Sequence, residues 1–187
     1  VEGGSYNSAS GGLQAGGGTQ EISWGANASF LEQNGFNSAQ SGSENDPYKN
    51  KTAGFNLAYK PAESLSVDFV TRYSDADADG DWQDCVPLPG NDPCPQVVSD
   101  SFPDSSTFKQ LYSALSGTAG FLDNRWTHQL FFATTDTRNK SVFQFRDFFD
   151  PDLLLVDTFR ADGTLNEVRY QSNWDFARDG VVAGKDV

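Results

Sequence analysis

The chain has 187 residues, a formal net charge of −13, 13% aromatic residues and 18 glycines. Such acidity argues against a nucleic-acid partner, whose phosphates it would repel, and the length suits one domain. No apolar run approaches the ~20 residues of a membrane-spanning helix, and the mean hydropathy of −0.54 is as compatible with a barrel of polar lumen and loops as with a soluble protein.

Side chains alternate between the two faces of a strand, so period-two patterning marks the strands. The first is expected from about Gly4 to Gly16, with Ala9, Leu13 and Ala15 on one face. Gly17-Gly18-Thr19 turns it into the second, Gln20 to Glu32, where Ile22, Trp24, Ala26, Ala28 and Phe30 oppose Glu21, Ser23, Gly25, Asn27 and Ser29. A long polar stretch, Gln33 to Lys49, leads to a third strand, Asn50 to Tyr59. Lys60-Pro61-Ala62-Glu63 reads as a tight turn, proline pre-setting one dihedral. The fourth strand, Ser64 to Ser74, alternates Leu65, Val67, Phe69, Thr71 and Tyr73 against Asp68 and Arg72.

A second long loop, Asp75 to Thr107, carries both cysteines and five of the eight prolines. The fifth strand, Phe108 to Phe121, turns through Leu122 to Arg125 into the sixth, Trp126 to Thr135. A mixed segment, Asp136 to Leu165, is expected to hold a small hairpin at Asp162-Gly163. The seventh strand, Asn166 to Phe176, turns through Ala177 to Gly180 into an eighth begun at Val181.

Connections alternate short and long, which places the long loops at one rim, as in outer-membrane β-barrels. Trp24, Tyr59, Phe121 and Trp126 fall near the short turns, and Phe30 and Tyr73 near the long loops, a spacing that suits two interfacial rows around an apolar band. Asp68 and Arg72 then face a wet lumen. The expected fold is all-β: an antiparallel up-and-down meander, part of a transmembrane barrel. Because the chain opens and closes in strand-like sequence, it is expected to be an internal piece of a longer protein, forming an open sheet.

The sharpest local feature is DADADGDWQD, where Asp75, Asp77, Asp79 and Asp81 alternate. Calcium takes six to eight oxygens, which close carboxylates supply. The run opens like an EF-hand loop, but Val86 stands where a bidentate Glu belongs. A solvated acidic loop and a calcium site in an irregular loop both remain open. His128, the only histidine, falls beside Trp126 and Leu130 and suits an interface position. Phe143 to Phe159 is apolar for a loop, so Phe148 and Phe149, with Phe36, Tyr48 and Trp82 on other long-loop segments, are candidate substrate contacts, although packing of the loop against its neighbours is the favoured explanation of its phenylalanines. No nucleophile–base motif or phosphate loop appears, and an enzyme is not expected.

Three stretches carry a resemblance: GSYNSASGGLQAGG with TQEISWGANASFLEQNGF, then YKNKTAGFNLAYKPAESLSVDFVTRYSDADAD, then STFKQLYSALSGTAGFLDNRWTHQLFFATTDT. Their hairpin texture resembles the barrel of TonB-dependent outer-membrane receptors, of the cobalamin and siderophore type. The resemblance implies that residues 1–187 are about eight strands of a 22-stranded barrel, without its plug domain. It implies uptake of cobalamin or a ferric siderophore across the outer membrane of a Gram-negative bacterium, driven through TonB. It further implies calcium held by two adjacent loops, adding Glu44 and Asp46 to the Asp75–Asp81 run. Maturation in an oxidising periplasm would pair Cys85 with Cys94. Two other readings stand beside it: a small autonomous outer-membrane barrel with a structural or adhesive role, and a soluble calcium-dependent β-sandwich that binds carbohydrate.

Overall fold

The computed structural model describes residues 1–5, 7–35, 45–80, 83–85, 96–98, 104–146 and 153–176. Its strands are β1 (Glu2–Gly4), β2 (Ser8–Gly18), β3 (Ile22–Gln33), β4 (Tyr48–Ala62), β5 (Leu65–Gly80), β6 (Gln83–Cys85), β7 (Gln96–Val98), β8 (Asp104–Phe121), β9 (Trp126–Arg146) and β10 (Leu154–Trp174). Eight of them form one sheet in the order β1-β2-β3-β4-β5-β8-β9-β10, and β6 and β7 pair separately. Every pairing is antiparallel between sequence neighbours of that sheet, so the fold is an up-and-down meander whose edges, β1 and β10, do not meet. No described helix is long and apolar enough to cross a membrane, which has no bearing on strands.

The strands outrun the sequence expectation at the long-loop end. The fourth was expected to stop at Ser74, yet β5 continues to Gly80. The fifth gains residues from Asp104, and the sixth continues to Arg146. Asp162-Gly163 makes no hairpin: Asp162 pairs with Arg138 and Gly163 with Thr137 inside a continuous β9–β10 ladder. There the apolar alternation has ended, but backbone pairing and cross-strand polar contacts carry the ladder on.

The short turns also shift. Lys60, Pro61 and Ala62 stay in β4, with a register irregularity between Tyr59 and Ala62, and the turn falls at Glu63–Ser64. Gly17 and Gly18 remain in β2. The reversal that follows is fixed by Thr19, whose Oγ1 accepts from the amides of Glu21 and Ile22 at 3.2 Å each. Leu122, Asp123 and Asn124 all take positive φ, which the four-residue turn between β8 and β9 requires. The first strand is divided at Ser5–Asn7, with Asn7 at φ 49. The expected turn at Ala177–Gly180 and the eighth strand lie outside the described residues.

The two faces differ. Ladder register puts Trp24, Leu57, Phe69, Leu115, Phe132 and Val168 on one face, since each pairs directly with the next across β3, β4, β5, β8, β9 and β10. The other face carries Asn27, Asn56, Asp68, Arg72, Tyr112, Ser116 and Gln129. Burial is greater on that polar face, which makes it the inner, concave side of the sheet. Ala114 and Ala133, the only buried apolar residues described, face each other there at 5% exposure. A cavity of about 210 Å³, lined by Asn56, Asp68, Val70, Tyr112 and Phe131, also spans four strands on that side. The convex face is the apolar one, with Leu115 48% and Leu130 57% exposed. Soluble domains bury such side chains in a core; here the core is turned outward. Phe108 and Phe131 interrupt the polarity of the concave face, and Arg169 stacks over the Phe131 ring at 4.4 Å.

Candidate functional site

Three levels succeed one another up the convex face. At the short-turn end, aromatic rings make a contiguous row. Trp126 lies 6.2 Å from Phe121, 4.3 Å from His128 and 5.9 Å from Trp174, centroid to centroid. Their polar atoms are engaged: Trp126 Nε1 donates to Ser172 Oγ at 2.9 Å, and His128 Nδ1 lies 2.6 Å from the Tyr170 hydroxyl. His128 thus sits where the sequence placed it, among amphipathic rings that suit a wet–apolar boundary.

The middle level is apolar. At roughly 3.3 Å per residue, Leu65 to Tyr73 spans about 26 Å along β5. Above it the face turns charged within two residues. Glu32, Lys49, Lys51, Asp75, Asp77, Asp79, Lys109, Asp136, Arg138, Lys140, Arg160 and Asp162 continue the same register.

The aspartate run was expected in a loop. Asp75, Asp77 and Asp79 instead lie on β5 on a single face, opposite Lys109, Thr107 and Ser105 of β8. Strand periodicity explains their alternation, because a carboxylate at every second residue is one edge of the charged level. Across β4, Lys51 faces Asp75 and Lys49 faces Asp77. Lys49 also binds Glu32 at 2.8 Å, which draws the Glu32 carboxyl below the ordinary range and raises the Lys49 ammonium. Lys109 reaches Asp75 Oδ2 at 3.1 Å, and the Lys109 ammonium is raised in consequence.

Asp79 differs. Burial first, then the neighbouring charges of Asp77 and Asp46, push its carboxyl above the usual aspartate value, with Lys49 opposing. Its amide donates to Pro47 O at 3.0 Å, which ties the segment carrying Asp46 to the top of β5. The structure therefore brings Asp46 and Asp77 into electrostatic reach of Asp79. Asp75 is set apart by its bonds to Lys109 and Tyr73. Among the described residues no three His, Cys, Asp or Glu side chains close to metal-holding distance. Asp46, Asp77 and Asp79 present hard oxygen donors of the kind calcium takes, but too few for its six to eight ligands without further groups. Glu44 and Asp81 lie outside the described residues.

Of the candidate substrate contacts, Tyr48 opens β4 opposite Ala78, while Phe36, Trp82, Phe148 and Phe149 lie outside the described residues. Cys85 ends β6, opposite Gln96 of β7, and Cys94 lies outside the described residues. The basic half of the charged level, Lys109, Arg138, Lys140 and Arg160, was missed in the sequence. Its signal was present in Asp136-Thr137-Arg138-Asn139-Lys140, a charge at every second residue.

Comparison with known proteins found no matching family model, no matching curated protein and no matching solved structure.

Proposed function

We propose that the chain is a section of barrel wall from a TonB-dependent outer-membrane receptor that imports cobalamin or a ferric siderophore. The observation that carries this reading is the inversion of the sheet: an apolar convex face, bounded by an aromatic row below and charge above, around a polar concave face. In a bilayer that arrangement puts lipid outside and water inside, and the strands of 15 to 21 residues exceed the roughly 9–11 needed to cross. The long connections at one rim would then be the extracellular mouth.

In this reading the segment binds and encloses rather than catalyses. The plug domain, TonB contact and remaining strands belong to the rest of the receptor, and the protein sits in the outer membrane of a Gram-negative bacterium. Calcium at Asp46, Asp77 and Asp79, completed by Glu44 and Asp81, would order two neighbouring loops and pre-organise the mouth. A disulfide between Cys85 and Cys94 would brace the loop between β5 and β8.

The test is deletion of the encoding gene, followed by uptake of labelled cobalamin and of ferric siderophores by whole cells. Loss of one of these, dependent on the proton-motive force, is expected. Unchanged uptake of both would contradict the reading.

A further inference from the structure

We propose that the convex face of β8, β9 and β10, directly above the apolar band, holds the phosphate of a lipid headgroup. The inference rests on the reading that this face meets lipid.

Lys109 faces Arg138 across β8 and β9, and Lys140 faces Arg160 across β9 and β10. Like charges set directly opposite each other destabilise a sheet, and here two such pairs are adjacent. Carboxylates offset them in part. Asp75 takes Lys109 at 3.1 Å, Asp136 takes Arg138 at 3.3 Å, and Asp162 takes Arg160 at 2.8 Å. Lys140 has no carboxylate partner among the described residues. On β8, β9 and β10 the patch therefore holds four cations against two carboxylates, Asp136 and Asp162, with Asp75 and Asp77 beside it on β5, on a chain whose net charge is −13.

The cations are also available. Arg138 and Arg160 are 65% and 68% exposed, and each meets its carboxylate through Nε. A guanidinium carries further donors in a planar fork that fits phosphate oxygens. Position selects the source of the phosphate. Leu111, Leu115 and Phe132 continue the same face toward the short turns, so a headgroup held at the patch lays its acyl chains on them. A free anion would gain nothing from that neighbourhood.

The test uses the chain in dodecyl maltoside micelles, with bound lipid counted by native mass spectrometry. Dioleoyl phosphatidic acid is the probe, dioleoyl phosphatidylcholine the zwitterionic comparison, and inorganic phosphate the headgroup chemistry alone. Wild type is expected to bind phosphatidic acid at least about tenfold tighter than phosphatidylcholine, since each cation at a membrane surface adds to anionic-lipid affinity. The triple variant Arg138→Gln, Lys140→Gln, Arg160→Gln should lose most of that preference. The variant Arg138→Lys with Arg160→Lys should keep the larger part, which separates lost charge from lost fold. Equal phosphatidic acid binding by wild type and the triple variant overturns the proposal. Inorganic phosphate binding as tightly as the lipid also overturns it, in favour of a free-anion site. Insertion into phosphatidylcholine vesicles is scored separately. If wild type and triple variant both insert but bind phosphatidic acid alike, only this proposal falls; if neither inserts, the lipid-facing reading falls with it.

Discussion

The hydroxyl of Tyr73 donates to Asp75 Oδ2 at 3.1 Å, two residues along the same face of β5. This bond joins the last ring of the apolar band to the first carboxylate of the charged level. Asp75 Oδ2 also receives Lys109 from β8, so the boundary is stitched across strands as well as along one. In the proposed receptor the ring would face hydrocarbon and the hydroxyl charge, an arrangement that suits an interface.

Asp79 gives a pH-dependent signature. Its folded carboxyl is raised by burial and by Asp77 and Asp46, so the folded state holds the proton more tightly than the unfolded one. Stability contributed by this residue is therefore lost as pH rises through the ordinary aspartate value and the raised folded value, and regained on acidification. Asp79→Asn is expected to raise the unfolding midpoint at pH 7 in chelator and to have little effect below pH 3. Calcium should reverse the sign at pH 7, because the ion relieves the repulsion only when the carboxylate is present. Parallel melts in calcium and in chelator check this; a calcium isotherm unchanged by Asp77→Ala with Asp79→Ala would remove the metal site.

Cys85 and Cys94 are expected to be bonded in the oxidised protein. Cys85 stands opposite Gln96, two residues beyond Cys94 in sequence. Closing so short a loop stabilises it by roughly 2–3 kcal/mol in the chain-entropy account. Mass spectrometry after alkylation should find neither thiol modified before reduction and both after it. Modification of both without reduction would exclude the bond.

The concave face holds a reciprocal pattern: Gly25 lies opposite Asn56, and Asn27 opposite Gly54. A Cβ added at Gly54 would come 2.5 Å from Asn27 Oδ1, and one at Gly25 2.7 Å from Asn56 Oδ1. Asn27 is exposed and can turn its amide aside, so Gly54→Val should cost no more than about 1 kcal/mol. Gly163, with nothing within 4 Å of an added Cβ, should accept alanine with no loss and a gain of up to about 1 kcal/mol. Chemical unfolding of both variants in one detergent compares them directly.

How much of this was legible follows from which physical signal each segment carries. Where one face is apolar and the other polar, as from Leu65 to Tyr73, alternation revealed strand, face and register together. Above Tyr73 both faces of β5 are polar or small, so hydropathy could not distinguish a paired strand from a loop, and Asp75, Asp77 and Asp79 were placed in the wrong element. The same loss of contrast hid the continuation of β9 through Arg138 and Lys140. Asp162-Gly163 misled because a hairpin dipeptide is a local preference, and the β9–β10 ladder overrides it. Charge alternation was the remaining strand signal: at Asp75 to Asp81 it reads as a metal loop, and at Asp136 to Lys140 it went unread.

Placing a charge in the band should be costly on one face alone. Phe132→Arg on the convex face is expected to lose about 2–4 kcal/mol in a bilayer, while Gln129→Arg, on the concave face, should stay within about 1 kcal/mol. Urea titration of the two variants in lipid vesicles measures the contrast; equal losses would deny that the faces see different solvents.

The most direct measurement is collision accessibility of a nitroxide moved one residue at a time from Tyr112 to Thr118 of β8, with Cys85→Ser and Cys94→Ser in the background and the chain in bilayers. Oxygen, which concentrates in hydrocarbon, should collide most at Ser113, Leu115 and Gly117. A water-soluble nickel chelate should collide most at Tyr112, Ser116 and Thr118. Equal access of the chelate to both sets, or an alternation of opposite phase, would contradict a sheet that turns its apolar face to lipid.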